Sequence, residues 1–246
     1  MMNDMFQSVE RQSLSDSVYR QLKGKIMSRE LQPGSELPAE RVLSETFGVN
    51  RGAVREAIKR LQQAGLVEVR QGGVSRVLDY CEEGGLELLP SLLTNREGNL
   101  NASVVRSIMA MRSALAPDIA AAAARRGGSG LAEELEALVA QMRADEKNLR
   151  ALQNHAHTFW KLLVEHSGNI AFRLSFNSMN KTYTHVREVL ATVLEPEFRD
   201  FAGFTAIARA VRKGDAEAAR KAGRKHVELG RAALEQALDA IEANKR

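Results

Sequence analysis

The stretch FGVNRGAVREAIKRL at residues 47–61 decides the fold of the N-terminal part of the chain. Gly48 is suited to the left-handed turn that ends a helix, and Asn50 is suited to cap the next one. Along that next helix the apolar residues are Val54, Ile58 and Leu61, and the cationic ones are Arg51, Arg55 and Lys59. The spacing predicts that one face of this helix is buried and that the other, cationic face contacts a groove of an anionic partner. A basic stripe alone is equally typical of a solvated helix face.

The sequence before this stretch predicts two more helices. Residues 13–16 have the pattern of a capping box, and apolar residues then recur every four positions from residue 14 to residue 26. Pro33-Gly34 predicts a turn. A second helix begins at about Pro38, where a missing N–H costs nothing, and ends near Thr46.

The sequence after this stretch predicts a β-hairpin. Gly65 ends the basic helix, and residues 66–70 and 74–77 each alternate apolar and polar side chains about a glycine turn at 71–73. Helix, helix, tight turn, helix and hairpin follow one another in the order of a winged helix-turn-helix. We therefore expect a DNA-binding domain over residues 1–77.

Strand signals are missing after about Asp79, and the rest of the chain has helical patterns. A linker is predicted at 78–85, and an all-helical domain at 86–246. Its long helices are predicted at about 102–126, 131–147, 150–167, 170–193, 197–212 and 215–243. Pro117 should kink the first of these or begin a new helix, and the alanines after it suggest close helix packing. The expected fold class is mainly α, with an antiparallel helical bundle as the second domain.

The composition excludes several classes of protein. A hydrophobic content of 44% and a charged content of 27% are those of a soluble globular protein, and no apolar run is long enough to cross a membrane. The first residues lack the features of a signal peptide, so we expect a cytoplasmic protein. The single cysteine, Cys81, allows neither an internal disulfide nor a cysteine-based zinc site.

The positive charge is concentrated towards the N-terminus. Residues 1–77 hold 12 Lys and Arg against 9 Asp and Glu, a surplus of three, whereas residues 78–246 hold 23 against 22, a surplus of one. An excess of cations in the short N-terminal segment suits an anionic partner such as double-stranded DNA.

Four motifs in this region resemble those of the GntR family of bacterial regulators in order and spacing. They are LPAER at 37–41, FGVNR at 47–51, VREA at 54–57 and GLV at 65–67. The helical second domain resembles the FadR branch of that family. The resemblance implies a repressor or activator that forms a homodimer and binds a pseudopalindromic operator.

The resemblance also implies which residues contact DNA. It assigns such contacts to Arg41, Arg51, Gly52 and Arg55 and to the wing at Gln71 and Gly72. Arg51 is the residue we expect to read a guanine through its O6 and N7 atoms. Asn50, Lys59 and Arg76 are expected to hold the DNA backbone. Gly52 and Ala53 stand where this family commonly has hydroxyl residues, which leaves the operator sequence open.

Many proteins of this branch bind a divalent metal through an Asp and three His on the helices of the second domain. By the resemblance, those positions are occupied here by Ala156, Trp160, Phe204 and His226. With a single ligand kept, we expect no metal and no other cofactor. A residual site involving His166 or His185 remains an alternative.

The loss of the metal ligands makes the second domain similar to members that bind long-chain acyl-CoA. GGLELL at 84–89, SGN at 167–169 and NSMNKTYT at 177–184 support this likeness. The effector residues it implies are Arg112, Trp160, Tyr183, Phe204 and His226. Two alternatives remain: a buried ion pair of Arg112 with Asp118 or Glu228, and a core position for Tyr183.

Other functions were weighed against this one. A small carboxylate is the alternative effector. An enzyme is disfavoured because the sequence has no glycine-rich phosphate loop after a strand and no nucleophile elbow. A sequence-tolerant architectural DNA binder would gain little from a large, nearly neutral second domain.

Overall fold

The computed structural model describes residues 14–70, 74–94, 99–184 and 186–243. The chain divides into two compact units, Met1–Asn99 and Leu100–Arg246. No helix within these described ranges is long and apolar enough to cross a membrane.

The N-terminal unit contains a helix-turn-helix followed by a two-stranded wing. Its elements are α1 (Leu14–Met27), α2 (Glu40–Phe47), α3 (Arg51–Gln63), β1 (Val67–Val69), β2 (Ser75–Val77), α4 (Tyr80–Glu83), a 3-10 turn (Leu86–Leu88) and α5 (Leu89–Leu92). The order of these elements and the mainly helical fold are those expected from the sequence. Gly48 has a φ of 63° and ends α2 in the left-handed conformation, as predicted.

The core of this unit is formed by the apolar faces of α1 and α3. Val18, Leu22 and Ile26 of α1 are buried, and so are the three predicted apolar residues of α3. Leu14, the first residue of the predicted α1 stripe, is exposed instead. Arg60 of α3 pairs with Asp16 of α1, and its guanidinium carbon lies 4.3 Å from the centroid of the Tyr19 ring.

The wing is joined to the chain that precedes α2. In the hairpin, Val67 is opposite Val77 and Val69 is opposite Ser75. The N–H of Leu37 also donates to the carbonyl oxygen of Ser75 at 2.7 Å, and that of Val77 donates to Ser35 at 2.8 Å. The sequence predicted only a turn near Pro33-Gly34, because the pairing partner lies about forty residues along the chain.

The first unit ends later than the linker that the sequence places at 78–85. Leu88, which follows that segment, is buried in the core of the N-terminal unit. Asp79 accepts a 2.8 Å hydrogen bond from Arg29, whose guanidinium also lies over the Tyr80 ring. These contacts join α4 and the 3-10 turn to the DNA-binding part, because Leu88 and the partly buried Tyr80 pack against its core.

The C-terminal unit is a bundle of helices. Its elements are α6 (Ala102–Arg126), α7 (Gly128–Ala144), α8 (Leu149–His166), α9 (Ile170–Thr184), α10 (Arg187–Val193), α11 (Glu195–Phe198), α12 (Phe201–Arg212) and α13 (Ala216–Ala243). The two longest helices, α6 and α13, pack against each other. α6 continues through the buried Pro117, so the expected new helix does not begin there. A Cβ atom added at Gly223 would lie 3.3 Å from the Cβ of Ala120, which confirms close packing at small residues.

Two of the predicted helices are each divided in the structure. The helix expected at 170–193 forms α9 and α10, and the N–H of Val186 donates to the carbonyl oxygen of Tyr183 at the break. The helix expected at 197–212 begins earlier, as α11, and restarts as α12 because Asp200 caps it by accepting from the N–H of Gly203 at 2.9 Å. This second break brings Glu197 and Asp200 into the bundle.

Candidate DNA interface and effector site

The N-terminus of α3 is built by a side-chain cap. Oδ1 of Asn50 accepts a 2.8 Å hydrogen bond from the N–H of Ala53, as the sequence predicts. A Cβ atom at Gly52 would lie only 3.2 Å from that Oδ1, so glycine leaves the cap undisturbed. Arg51 and Gly52 are exposed at this end of the helix. The positive end of the helix dipole and the cation of Arg51 therefore point to the same solvent region.

Two of the predicted DNA-contacting arginines already have acidic partners. Arg55 donates from Nε and Nη2 to the two carboxylate oxygens of Glu40 at 3.1 and 2.8 Å. Arg41 donates to Glu45, one turn further along α2, at 2.7 Å. The hydrogen bonds from Arg55 outweigh the opposing effect of burial and, with the charges of Arg55 and Arg51, hold the pKa of Glu40 below its ordinary value. Glu40 thus stays ionised and orients Arg55 beside α2.

The remaining predicted contacts differ in how they are held. Arg51 and Lys59 are exposed, and neither makes a hydrogen bond or ion pair with any part of the chain that the structure describes. Arg76 is half-buried and donates from Nε to the carbonyl oxygen of Gly34 at 3.0 Å, which links the wing to the loop before α2. Gln71 and Gly72 lie outside the described residues.

In the C-terminal unit, Arg112 of α6 is paired with Glu197 of α11. Nη1 donates to Oε2 at 2.8 Å, and Nη2 donates to Oε1. The Glu197 side chain is only 2% exposed, whereas that of Arg112 is 24% exposed. Burial works against the charge on Arg112, but the Glu197 carboxylate outweighs it, so the pKa of Arg112 is raised.

This partner corrects the alternative pairs weighed for Arg112. Asp118 is paired with Arg220 at 2.8 Å, and Glu228 is paired with Arg231 on its own helix. The sequence missed Glu197, which lies 85 positions away from Arg112. One signal could have indicated it: Gly230 lies in a run of good helix formers, and a glycine there marks a close approach. The structure shows that a methyl group at Gly230 would overlap the Glu197 carboxylate.

His226 is fully buried beside this ion pair. Its Nδ1 atom lies 2.9 Å from Oδ2 of Asp200. Its Nε2 atom lies 3.7 Å from Oε1 of Glu197 and has no hydrogen-bond partner among the described residues. Burial raises the pKa of Asp200, but the hydrogen bonds from His226 and from the N–H of Gly203 outweigh it and leave the pKa lowered.

Aromatic side chains occupy two of the four positions that the family resemblance assigns to metal ligands. The Phe204 ring lies 4.2 Å from the His226 ring and 4.8 Å from the Phe159 ring, centroid to centroid. The Trp160 ring lies 6.1 Å from the His226 ring. Ala156, at a third position, is buried. These positions are therefore filled by packed side chains.

The described residues contain no group of three or more His, Cys, Asp or Glu placed to hold a metal ion. The other histidines have local partners. Nε2 of His155 lies 2.8 Å from Asp145, and the His157 ring stacks on Phe176. Nδ1 of His166 lies 3.0 Å from the carbonyl oxygen of Leu162. His185 lies outside the described residues.

Tyr183 is part of a polar cluster and not of an apolar core. The buried Gln153 donates to its hydroxyl oxygen and, at 3.0 Å, to the carbonyl oxygen of Arg187. Nε of Arg187 donates back to Gln153 Oε1 at 3.0 Å. Burial raises the pKa of the Tyr183 hydroxyl, although Gln153 and the charges of Arg187 and Arg112 oppose it. Arg112 thus lies within electrostatic reach of Tyr183. Gln153 and Arg187, which the sequence did not single out, complete the cluster.

Comparisons with known proteins give the family of this chain. The profile of bacterial regulatory proteins of the gntR family matches residues 14–77, and that of the FCD domain matches residues 107–229. The HTH-type transcriptional regulator Mce2R of Mycobacterium tuberculosis is 39% identical over 228 residues, 93% of this chain and 94% of that protein. The fatty acid metabolism regulator protein of Edwardsiella ictaluri is 29% identical over 161 residues, 65% of each chain.

A solved structure supports the fold. It is that of Lar, which controls the expression of the Listeria monocytogenes agr system, with a TM-score of 0.56 and 20% identity over 93% of this chain and 99% of that one. The FCD match covers half of the chain, and Mce2R aligns along nearly all of it. This chain therefore belongs to the GntR family: it is a DNA-binding transcriptional regulator with a C-terminal FCD effector domain, and not an enzyme.

Proposed function

We propose that this regulator binds a pseudopalindromic operator as a homodimer, with α3 in the major groove. The observation that supports this placement is the exposed N-terminus of α3, where Arg51 has no partner among the described residues. Such an arginine can make the bidentate contact to guanine. Arg41, Gly52 and Arg55 are the further base or phosphate contacts, Asn50, Lys59 and Arg76 hold the DNA backbone, and Gln71 and Gly72 reach it from the wing.

The proposed effector site is the cluster around Arg112 in the C-terminal unit. Arg112 and Tyr183 provide its polar side, and Trp160, Phe204 and His226 provide its aromatic side. The leading effector is long-chain acyl-CoA, since one relative is named a fatty acid metabolism regulator protein. A small carboxylate is the second candidate, because the Arg112 guanidinium already binds a carboxylate, that of Glu197, through two of its nitrogens.

Effector binding is proposed to change the affinity for the operator through the segment 78–85. A ligand can shift this equilibrium only if it binds the DNA-competent and DNA-incompetent states with different affinity. An effector that raised or lowered operator affinity tenfold would supply about 1.4 kcal/mol of coupling.

Operator binding is best tested by fluorescence anisotropy on the operator-like stretch upstream of the protein's own gene. We expect oleoyl-CoA to change the affinity, and small carboxylates in a separate titration to leave it unchanged. A response to small carboxylates alone would replace the leading effector with the second candidate. If the affinity for the operator is the same with and without each ligand at saturating concentration, regulation by these effectors is refuted.

A further inference from the structure

Glu197 binds the guanidinium of Arg112 in the way that a carboxylate ligand would. Two guanidinium nitrogens donate to the two oxygens of one carboxylate, which is the planar, forked geometry that arginine offers to this group. The Arg112 side chain is partly exposed whereas that of Glu197 is not, so a group arriving from solvent would meet Arg112 before it met Glu197.

Space for the Glu197 carboxylate is left by a glycine in the neighbouring helix α13, and this glycine lowers the intrinsic stability of that helix. Gly230 lies within α13, where glycine is a poor helix former, and any side chain at this position would overlap Oε2 of Glu197. The same added Cβ atom would lie 3.3 Å from Leu194. The absence of a side chain at 230 therefore admits an acidic group beside Arg112.

The Glu197 carboxylate also has a second neighbour that is not yet bonded to it. Nε2 of His226 is 3.7 Å from Oε1 and lacks a hydrogen-bond partner among the residues described. Because His226 donates from Nδ1 to Asp200, Nε2 has no proton in the neutral ring, and Glu197 can form a hydrogen bond there only with the uptake of one proton, on its own carboxyl group or on Nε2. Glu197 thus has two polar neighbours, Arg112 and Nε2 of His226, and a move from the first to the second takes up one proton from solvent.

We propose that Glu197 is an internal competitor for a carboxylate ligand: an organic carboxylate takes Arg112, and Glu197 moves towards Nε2 of His226 with the uptake of one proton. This inference rests on the proposed effector site at Arg112 and concerns its second candidate, the carboxylate. The Arg112 guanidinium keeps a negative partner throughout the exchange, which avoids the large cost of leaving it unpaired. The released Glu197 belongs to α11, a helix of one turn that ends two residues before Asp200, the cap of α12. Occupation of Arg112 is thereby coupled to the junction of α11 and α12.

The test measures the binding of oleate and of hexanoate, in the absence of DNA, through the fluorescence of Trp160. This is the chain's single tryptophan, and its ring lies 6.1 Å from that of His226. We expect Glu197→Gln to bind both carboxylates at least tenfold more tightly than the wild type, because the neutral amide competes poorly for Arg112. Glu197→Asp retains the charge on a shorter side chain, so it should fold even if the glutamine variant does not, and its gain should be smaller.

Three controls make the outcome specific. Glu136→Gln breaks an exposed pair with Arg212 that has similar geometry, at 2.7 and 2.8 Å, and should leave the affinity unchanged. Adding Arg112→Gln to Glu197→Gln should abolish the gain. Oleoyl-CoA, whose acyl group carries no free carboxylate, should bind both proteins equally.

An unchanged affinity for oleate and hexanoate in folded variants of Glu197 would overturn the proposal. If Glu197→Gln raised the affinity for oleoyl-CoA by the same factor, the assignment of a carboxylate as the group that binds Arg112 would be wrong. Since this titration contains no operator, the two proposals can fail separately: if neither oleoyl-CoA nor any carboxylate changed the operator affinity, the proposed regulation would be refuted and the exchange at Arg112 would stand.

Discussion

At the scale of single residues, the two candidate sites use arginine in opposite ways. On α3, Arg51 is exposed and makes no ion pair with the described residues, whereas Arg55 is held by Glu40. In the bundle, Arg112 is bound to a buried carboxylate. An unpaired surface arginine is available to a nucleic acid without the loss of an internal partner. A buried and paired one can take a new ligand only by exchange.

The substitution Arg51→Ala should weaken specific operator binding by about 1–3 kcal/mol, because it removes a contact to a base. Anisotropy titrations on the operator and on a scrambled duplex would show the loss mainly on the operator. Arg231→Ala makes the same change of charge in the C-terminal unit and serves as the control. If the Arg51 variant bound the operator normally, the placement of α3 in the groove would be wrong.

At the scale of elements, glycines and caps determine where the helices end and how closely they approach. Gly48 ends α2, Asn50 begins α3, and Asp200 restarts the chain as α12. Glycine inside α13 serves a different purpose, since Gly230 leaves room for a carboxylate from α11. The intrinsic helix preference of that position is overridden by the packing of its neighbour.

The substitution Gly230→Ala should therefore lower the free energy of unfolding, by about 1–3 kcal/mol, although alanine is the better helix former. Urea denaturation followed by circular dichroism would measure this change. The matched control is Gly130→Ala in α7, where an added Cβ atom has nothing within 4 Å and should be neutral or slightly stabilising. Equal stability of the two variants would contradict the close contact between Gly230 and Glu197.

At the scale of the whole molecule, carboxylates paired with cations are distributed over both units. Hydrogen bonds from Arg29 lower the pKa of Asp79, and those from Arg212 lower the pKa of Glu136. Similar partners lower the pKa of Glu40 and Glu228. Most of these pairs lie at the surface, where each contributes little to stability at neutral pH. Their shared effect is on the response to acid.

We expect the free energy of unfolding to fall as the pH is lowered through about 4, the ordinary value for these side chains. A carboxyl group whose pKa is lower in the folded state stabilises the fold above its unfolded pKa. That contribution is lost as the pH falls through the folded pKa. Urea midpoints measured at successive pH values would show the loss, and Asp200→Asn should reduce it. A midpoint that does not change down to a pH of about 2 would contradict the lowered pKa values.

Much of the architecture could be predicted because helices, caps and hairpins are encoded by residues close together in the chain. The period of the apolar residues determined the buried faces of α1 and α3, and Asn50 marked the start of α3. The breaks after Thr184 and Phe198 were missed, since no glycine or proline stands between the two helices at either break.

The sequence by itself determined the order of the elements and the basic face of α3, because both are carried by the type and spacing of nearby residues. Only the tertiary structure decided the partners in the bundle: Glu197 for Arg112, Asp200 for His226 and Gln153 for Tyr183. These pairs join positions from 26 to 85 residues apart. The spacing of residues along one helix does not encode such a pairing. The pair forms only when packing brings two helices together, because a buried charge without a partner is then too costly.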